Sequence, residues 1–315
     1  MRCWLKSPRR FGTYSFMLRR FFPYMEAITV VLIWSTTAPL VKILLDDLSP
    51  LEIAGFRYIS AFLLFIPLLL FFSRAILQAL STQDWLRLGL MGIVGFAIGS
   101  IAMFKGLENL DATTSAFLLN GIPVLTFLLG AVFLNEKPTS LQWLGLVVAL
   151  AGAVVFFGMS VHLDDFYSIG LTLIGVLALT FNGLIGRSIA REKVIDPLTL
   201  SAVPMGIGGF AILLISPLRA FPPRSTWGIM LWLIVPSSML AFLVWNHARR
   251  NLKAFEMSIT VNLMPIGTAL ISPWLIGEIV PGRAWAGMLV TLVGVLLVGY
   301  AGERTPESVI RESPL

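Results

Sequence analysis

Hydrophobic residues occupy this chain in long runs that are separated by short polar stretches. The runs are each roughly 20 residues long, which is the length that a helix needs to cross the hydrocarbon core of a bilayer. We predict ten membrane-spanning helices, numbered spans 1 to 10 in chain order: 26–45, 52–72, 85–104, 112–134, 141–158, 167–187, 198–217, 226–246, 254–277 and 284–301. Because the connecting stretches are short, the pattern indicates that no soluble domain is inserted between them.

The composition is that of a membrane protein. Hydrophobic residues make up 57% of the 315-residue chain and charged residues only 13%, and the mean hydropathy is +0.87. A soluble domain carries about 25% charged residues. We therefore expect an all-α membrane protein whose partner is the lipid bilayer.

The sequence lacks the residues that several kinds of site require. The single cysteine, Cys3, excludes an intramolecular disulfide framework, and the sequence has no Cys/His cluster of the kind that binds zinc. No G-x4-G-K-[ST] phosphate-binding loop occurs, so we do not expect ATP hydrolysis by this chain. We predict no bound metal and no cofactor, and no nucleic-acid partner.

The basic residues predict the orientation. With the N-terminus inside, 17 of the 23 lysines and arginines fall on the N-terminal side, five fall on the opposite side, and Arg57 lies within span 2. This bias places the N- and C-termini of a multi-pass membrane protein in the cytoplasm. It also explains the net charge of +6 without a nucleic-acid partner.

The chain contains an internal repeat. When the sequence is shifted by 142 residues, the following pairs coincide: Asn109 with Asn251, Asn120 with Asn262, Pro123 with Pro265, Glu136 with Glu278, Gly145 with Gly287 and Gly152 with Gly294. We divide the chain into a basic cytoplasmic tail (1–24), a first five-helix repeat (25–158), a second (166–301) and a cytoplasmic C-terminal tail (302–315). Since each half has an odd number of spans, the fold class is ten transmembrane helices as two inverted five-helix repeats, an arrangement typical of secondary transporters.

These features resemble a known family. Ten spans as five plus five, the stretch PLEIAGFRYISAFLL at the start of span 2, and the pattern A-x7-N-x2-P…E-x8-G-x6-G in both halves are similar to the EamA family of the drug/metabolite transporter superfamily. The resemblance covers residues 25–301. It implies a plasma-membrane carrier, usually an exporter of small organic metabolites such as amino acids, that works by alternating access. It also implies a pathway lined mainly by spans 1, 3, 4, 6, 8 and 9, with spans 5 and 10 peripheral.

Glu136 and Glu278 end spans 4 and 9. A carboxylate is unfavourable at a helix C-terminus and favourable near the free N–H groups of a helix start. We therefore expect Glu136 to turn toward the start of span 5, and Glu278 toward the start of span 10, so that each pins a hairpin. The alternative is a gate, or a carboxylate that binds a coupling proton.

Polar residues within apolar spans are costly and mark candidate sites. Asn120 and Asn262 lie three residues before Pro123 and Pro265, and each amide could satisfy the carbonyl that the proline leaves unbonded or bind a solute in a central cavity. The further candidates for the lining of that cavity are Trp34, Ser35, Thr180, Asn182, Trp245 and Asn246.

Arg57 is the charge that lies deepest in a predicted span. It could extend its guanidinium outward to water, pair with Glu52 or another acid, or hold a substrate carboxylate through a two-pronged contact. No Asp or Glu falls at mid-membrane depth, so proton coupling and facilitated exchange both stay open.

Two other classes of function compete with transport. A static membrane scaffold would also preserve a duplicated fold, and an integral-membrane enzyme could use His162, Asp164 and Asp165 in the loop VHLDD as a metal site. Three polar residues in one short loop are more typical of a solvated turn, so we do not expect an enzyme. A monomer is sufficient for a carrier of this size, and a homo-oligomer is compatible with the sequence.

Overall fold

The computed structural model describes residues 11–133, 139–158, 165–217, 221–252, 257 and 260–303. Across these residues the regular secondary structure is entirely helical. The helices are Phe11–Ser35, Thr37–Leu44, Pro50–Phe72, Arg74–Ala79, Thr82–Leu90, Met91–Gly99, Ser100–Leu107, Ala112–Leu118, Gly121–Phe133, Ser140–Phe157, Asp165–Glu192, Pro197–Ile215, Arg224–Thr226, Trp227–Ile234, Val235–Leu240, Ala241–Arg249, Met264–Ile276 and Gly282–Glu303.

These helices form the ten predicted spans. In the described part of the chain, nine segments are long and apolar enough to cross a membrane: Phe22–Leu44, Pro50–Phe72, Thr82–Leu107, Ala112–Leu129, Ser140–Phe157, Phe166–Glu192, Pro197–Ile215, Arg224–Arg249 and Gly282–Tyr300. The shorter apolar helix Met264–Ile276 belongs to span 9. The prediction of a ten-span, all-α membrane protein is confirmed, and its first helix begins at Phe11 rather than at the predicted residue 26.

Capping side chains explain where several spans begin. Ser49 accepts a hydrogen bond from the backbone N–H of Glu52 while the carboxylate of Glu52 accepts from the N–H of Ser49, with Pro50 at the first helical position. Thr139 and Gln142 form the same reciprocal box before span 5. Such boxes satisfy N–H groups that have no partner within the helix. They place the start of span 2 two residues before the position that hydrophobicity alone predicts.

Contacts between span ends show how spans 1, 4, 6 and 8 run relative to one another. At one end of the bundle, Glu26 at the start of span 1 pairs with His247 at the end of span 8. At the other end, Lys42 near the end of span 1 donates to the carbonyl of Leu110 before span 4, and Asn109 donates to Ser168 at the start of span 6 over 3.2 Å. Span 6 therefore begins where span 1 finishes, as an inverted repeat requires.

The packing of the helices is symmetric between the halves. Span 2 packs along its counterpart span 7, and span 5 along its counterpart span 10. Span 3 packs on span 6, and the equivalent pair, span 8 and span 1, is also in contact. Spans 4 and 6 are in contact, as are spans 9 and 1. Exchanging the two halves reproduces each of these helix pairs.

Glycine allows the close approach of spans 5 and 10. A methyl group added at Gly145 would lie 2.7 Å from the carbonyl oxygen of Gly294, and one added at Gly152 would lie 2.9 Å from the carbonyl oxygen of Gly287. The hydroxyl of Thr291 donates to the carbonyl of Ala149 across the same contact. Small residues at such positions let two helix backbones meet. The glycine strips of these two spans therefore face each other.

Candidate functional site

The helices that surround the centre of the bundle are irregular at matching places in the two halves. Span 3 contains a π-helical segment, Met91–Gly99, and span 8 contains another, Val235–Leu240. The repeat distance of 142 residues places these two segments over one another. Segments of π-helix are rare and are frequent at functional sites because they leave backbone groups open to other partners.

Spans 4 and 9 are both interrupted beside their buried asparagines. Span 4 divides into Ala112–Leu118 and Gly121–Phe133, and its turn contains Asn120. Span 9 has a turn at Asn262 before Met264–Ile276. Pro123 and Pro265 lie in the first turn of the second helical pieces, where a residue without an N–H is tolerated. Interrupted helices of this kind are typical of solute sites in secondary transporters.

Arg57 lies at the centre of this region. It is seven residues after Pro50 along span 2, about 10 Å at 1.5 Å per residue, and its side chain is only 3% exposed. Its Nε donates to the hydroxyl of Ser238 over 2.6 Å, and its Nη2 donates to the hydroxyl and the carbonyl oxygen of Ser237 over 3.1 and 3.4 Å. Both serines belong to the π-helical segment of span 8. The guanidinium therefore joins the first half of the protein to the second.

Two of the roles that the sequence allows for Arg57, extension to water and pairing with an acid, do not fit this geometry. The side chain is buried, so it does not extend to water. The ion pairs between described residues are Arg87 with Glu192, Lys105 with Glu108, and His247 with Glu26, and none of them includes Arg57. An arginine at this depth is normally paired with an acid. Hydroxyl and carbonyl groups accept its hydrogen bonds here but leave its charge uncompensated.

Aromatic rings surround the arginine. The guanidinium carbon lies 5.3 Å from the ring centre of Tyr58, within the range of a cation–π contact. Tyr58 packs edge-on against Phe96 at 5.2 Å, and Phe96 contacts Phe242 at 4.9 Å. Phe242 in turn lies 5.2 Å from Trp34. Spans 1, 2, 3 and 8 thus contribute to one aromatic wall.

Polar groups complete the same cluster. The indole N–H of Trp34 donates to the carbonyl oxygen of Ser237 over 3.0 Å, and the hydroxyl of Thr37 is bonded to the hydroxyl of Ser237 at 2.9 Å. The hydroxyls of Tyr58 and Ser100 are bonded at 2.6 Å. One cation, several hydroxyls and an apolar aromatic wall suit a small solute that has a carboxylate and an apolar side group.

The structure distributes the other sequence-predicted residues around this cluster. Trp245 packs on Trp34 with ring centres 5.1 Å apart. Ser35 donates to the carbonyls of Val31 and Met264, at 2.8 and 3.2 Å, so it links span 1 to span 9. The side-chain oxygen of Asn120 is buried and accepts no hydrogen bond from the described residues. A contact between this oxygen and a solute stays a prediction.

Three further candidates bond to protein groups. Thr180 donates to the carbonyl of Val176 in its own helix. Asn182 donates to the carbonyl of Met91 at the start of the π-helical segment of span 3, over 3.0 Å. Asn246 donates to the hydroxyl of Ser201 on span 7, over 2.9 Å. The contacts of Asn182 and Asn246 join neighbouring helices, and a direct solute contact at all three positions stays a prediction, as it does for buried Asn262.

Glu278 does not cap span 10 as the sequence suggested. Gly277, with a φ of 68°, ends span 9 in the left-handed region, and the carboxylate of Glu278 accepts from the backbone N–H groups of Ala112 and Thr113, at 2.8 and 2.9 Å. The physical expectation of a carboxylate at a helix start is met, but the helix is span 4 of the other half. Its repeat counterpart Glu136 lies outside the described residues, as do His162 and Asp164 and the side chain of Asp165.

A cavity of about 170 Å³ adjoins this contact, between the starts of spans 4, 6 and 10 and the end of span 5. Asn109, Asp111, Thr113 and Arg283 line it together with Glu278. It lies at the end of the bundle that the basic residues predict to be external. The hydrogen bonds between Glu278 and the start of span 4 therefore connect the two halves at that end.

Sequence reasoning missed the residues that hold Arg57. Ser237 and Ser238 follow Pro236 in an otherwise apolar span, and that proline–serine–serine step is the signal that marks the irregular helix. Tyr58, Phe96 and the other ring residues carry no such signal, because aromatic residues are common throughout the chain.

Comparison with known proteins gives a consistent picture. A model of the EamA-like transporter family matches residues 22–158 and 166–300. The chain is 24% identical over 288 residues to the uncharacterized transporter YyaM of Bacillus subtilis strain 168, covering 87% of this chain and 92% of that protein. It is 22% identical over 287 residues to the uncharacterized inner membrane transporter YedA of Escherichia coli strain K12, covering 89% and 92%. A solved crystal structure superposes with a TM-score of 0.66 at 16% identity, covering 90% of this chain and 99% of that one.

Proposed function

The chain belongs to the EamA-like transporter family, and we propose that it carries small organic metabolites with a carboxylate group, such as amino acids, across the plasma membrane by alternating access. The observation that carries this proposal is Arg57. A buried guanidinium about 10 Å along span 2, bonded to the other half and without an acidic partner among the described residues, is suited to an anionic group that arrives with the solute.

The chemistry of the residues around Arg57 supports a solute with a carboxylate. Hydroxyls of Ser237 and Ser238 already orient the guanidinium, so a carboxylate can meet its remaining N–H groups without a rearrangement of the side chain. The rings of Trp34 and Phe242 offer a surface for an apolar side group. The free oxygen of Asn120 is suited to an ammonium or amide donor. Export is the direction that the family resemblance implies.

The test is transport by purified protein reconstituted in liposomes. Pools of radiolabelled amino acids and small carboxylic acids are screened with and without a pH gradient, and KM is then measured for the best solute. Hydrogen bonds to charged groups contribute about 1.5–3 kcal/mol, so Arg57→Met should weaken binding about 10- to 100-fold. Arg57→Lys keeps the charge but loses the paired N–H donors of the guanidinium, so we expect a KM between those of the wild type and Arg57→Met.

Folding is controlled independently of transport. Each variant is compared with Arg224→Met, which removes a cation from the start of span 8 outside the site, by size-exclusion profile and thermal unfolding. Folded Arg57→Met protein with an unchanged KM would contradict the assignment of Arg57. Absence of uptake from every pool by the wild-type protein would contradict the proposed class of solute.

A further inference from the structure

A second arginine lies in a position that its own helix does not explain. Arg249 ends span 8 at the end of the bundle where span 1 begins, and its side chain is partly buried. The guanidinium rests against Gly186 of span 6, so closely that a methyl group added there would overlap its Nη1 atom. The same methyl would lie 3.0 Å from Cε of Met91 on span 3. Gly186 thus makes a cradle for a cation between three spans.

The acids at this end of the bundle are occupied elsewhere. Four of them have side chains within the described part of the chain, and each bonds to another group: Glu26 to His247, Asp84 to Ser81, Glu192 to Arg87, and Asp196 to Ser73 and Thr199. Arg249 has no ion pair with any of them. The positive-inside rule accounts for cations at this end, but an exposed side chain would satisfy that rule equally well.

Other cations make the position more electropositive. Arg187, one residue after Gly186, is close enough to Arg249 to repel its charge. Arg250 donates to the carbonyl of Ile195, and its Nε atom is buried without a hydrogen bond in the described structure. Arg249 is a partly buried cation with no ion pair among the described residues, and such a cation needs a counter-charge.

We propose that Arg249, seated in the cradle at Gly186, forms a binding site for a phosphate-class oxyanion at the end of the bundle that the charge pattern predicts to be cytoplasmic. A guanidinium fork matches the paired oxygens of such a group. Basic pockets between spans on the cytoplasmic side bind the head groups of anionic lipids, and a soluble phosphate has the same chemistry. This site is separate from Arg57 and does not rest on the proposed function.

Full-length protein in a neutral detergent allows both sources to be tested. Thermal unfolding is followed while either phosphatidylglycerol, with phosphatidylcholine as the uncharged comparison, or inorganic phosphate is added, and the midpoint of stabilisation gives an apparent affinity. The variants are Arg249→Gln, Arg249→Lys and Gly186→Ala. Arg191→Gln removes an exposed charge from the last turn of span 6, and Gly183→Ala adds a methyl group where nothing lies within 4 Å.

We expect saturable stabilisation of the wild type, Arg191→Gln and Gly183→Ala at one common midpoint. Loss of a charge-assisted contact should move the midpoint of Arg249→Gln by about tenfold or more, and Gly186→Ala should weaken binding with no change of charge. Stabilisation by phosphatidylglycerol alone assigns a lipid head group, and stabilisation by inorganic phosphate alone assigns a soluble anion. Equal midpoints in Arg249→Gln and Arg191→Gln, or no saturable effect of either probe, overturns the site. If Arg249→Gln does not fold, Gly186→Ala and Arg249→Lys decide.

Discussion

The contact between spans 5 and 10 gives the sharpest test of the packing. At Gly152, an added methyl group would lie 2.9 Å from the carbonyl oxygen of Gly287 and closer still to the backbone N–H and hydroxyl of Thr291. Ordinary contact begins at 3.4 Å and the nearest atoms, the backbone nitrogen and hydroxyl oxygen of Thr291, lie at 2.4 Å, so Gly152→Ala requires a shift of about 1 Å. The obstructing atoms are mainly backbone, which cannot rotate away, so the two helices must separate.

Two opposing effects set the magnitude. Overpacking of a close contact costs about 1–3 kcal/mol, while replacing glycine with alanine inside a helix contributes about 0.8–1.0 kcal/mol in its favour. Gly183→Ala, inside span 6 with nothing within 4 Å of the new methyl group, gains the helical term alone. The difference in unfolding free energy between the two variants is therefore the overpacking cost itself, about 1–3 kcal/mol, with Gly152→Ala the less stable.

Reversible unfolding in mixed micelles, or thermal unfolding in detergent, measures this difference. The symmetric variant Gly294→Ala should behave like Gly152→Ala, because its methyl group would lie 2.6 Å from the carbonyl oxygen of Gly145 and 2.7 Å from Cα of Ala149. If Gly152→Ala and Gly183→Ala are equally stabilised, spans 5 and 10 do not pack through their glycines and the reasoning fails.

Two further variants probe the cap and the site. Glu278→Gln removes the charge that accepts hydrogen bonds from two N–H groups of span 4, so we expect the free energy of unfolding to fall by about 1–2 kcal/mol. The control is Glu108→Gln, which should change stability little because Glu108 forms an exposed pair with Lys105. Equal stabilities of the two variants would contradict the cap. Trp34→Phe keeps the ring contacts but loses the bond to Ser237, worth about 0.5–1.5 kcal/mol, so KM for transport should rise by a few-fold. Trp232→Phe, which loses a more exposed bond to Thr36, is its control and should leave KM unchanged, and a matching rise would contradict the assignment.

Sequence patterns predict the ten spans well, because hydrophobic length is a strong signal and the repeat restricts the topology. The same patterns do not distinguish which face of each span meets which neighbour, since nearly every face is apolar. For that reason the sequence wrongly predicts that Glu278 caps span 10: it shows a carboxylate near a helix start, and the nearest start along the chain is not the nearest in space. The contact with Ala112 depends on the arrangement of the two halves.

The centre of the site also combines features that the sequence predicts with features that depend on how the helices pack. Arg57 stands out as a charge within an apolar run, and its burial could be anticipated only as one of three roles. Ser237 and Ser238 become visible as its partners only when spans 2 and 8 are seen in contact. The π-helical segments have no single sequence signature, because Met91–Gly99 contains three glycines and no proline whereas Val235–Leu240 starts with a proline in its first turn.

The two halves share a set of matching contacts but not the cation Arg57. Both features bear on how solute binding is coupled to movement of the halves in the proposed carrier. Ser35 and Thr180 donate to Val31 and Val176, four residues earlier in each helix. Two residues after them, Thr37 bonds to the π-helical segment of span 8 and Asn182 to that of span 3. These matching contacts shape the two halves alike, as an exchange of two conformations requires.

Arg57 has no such counterpart. The spacing that relates Pro50 to Pro197 places Pro204 opposite it, so the second half offers no equivalent cation. Since Arg57 belongs to the first half and its acceptors, Ser237 and Ser238, belong to the second, a movement between the halves must strain or break those hydrogen bonds. In the proposed carrier, a bound carboxylate supplies replacement acceptors and neutralises the guanidinium during that movement. Without solute, the protein would have to move a cation whose hydrogen bonds are broken, which is costly in a dry interior. The bound solute therefore lowers the barrier to the movement between the halves. This coupling of solute binding to movement requires no mid-membrane acid.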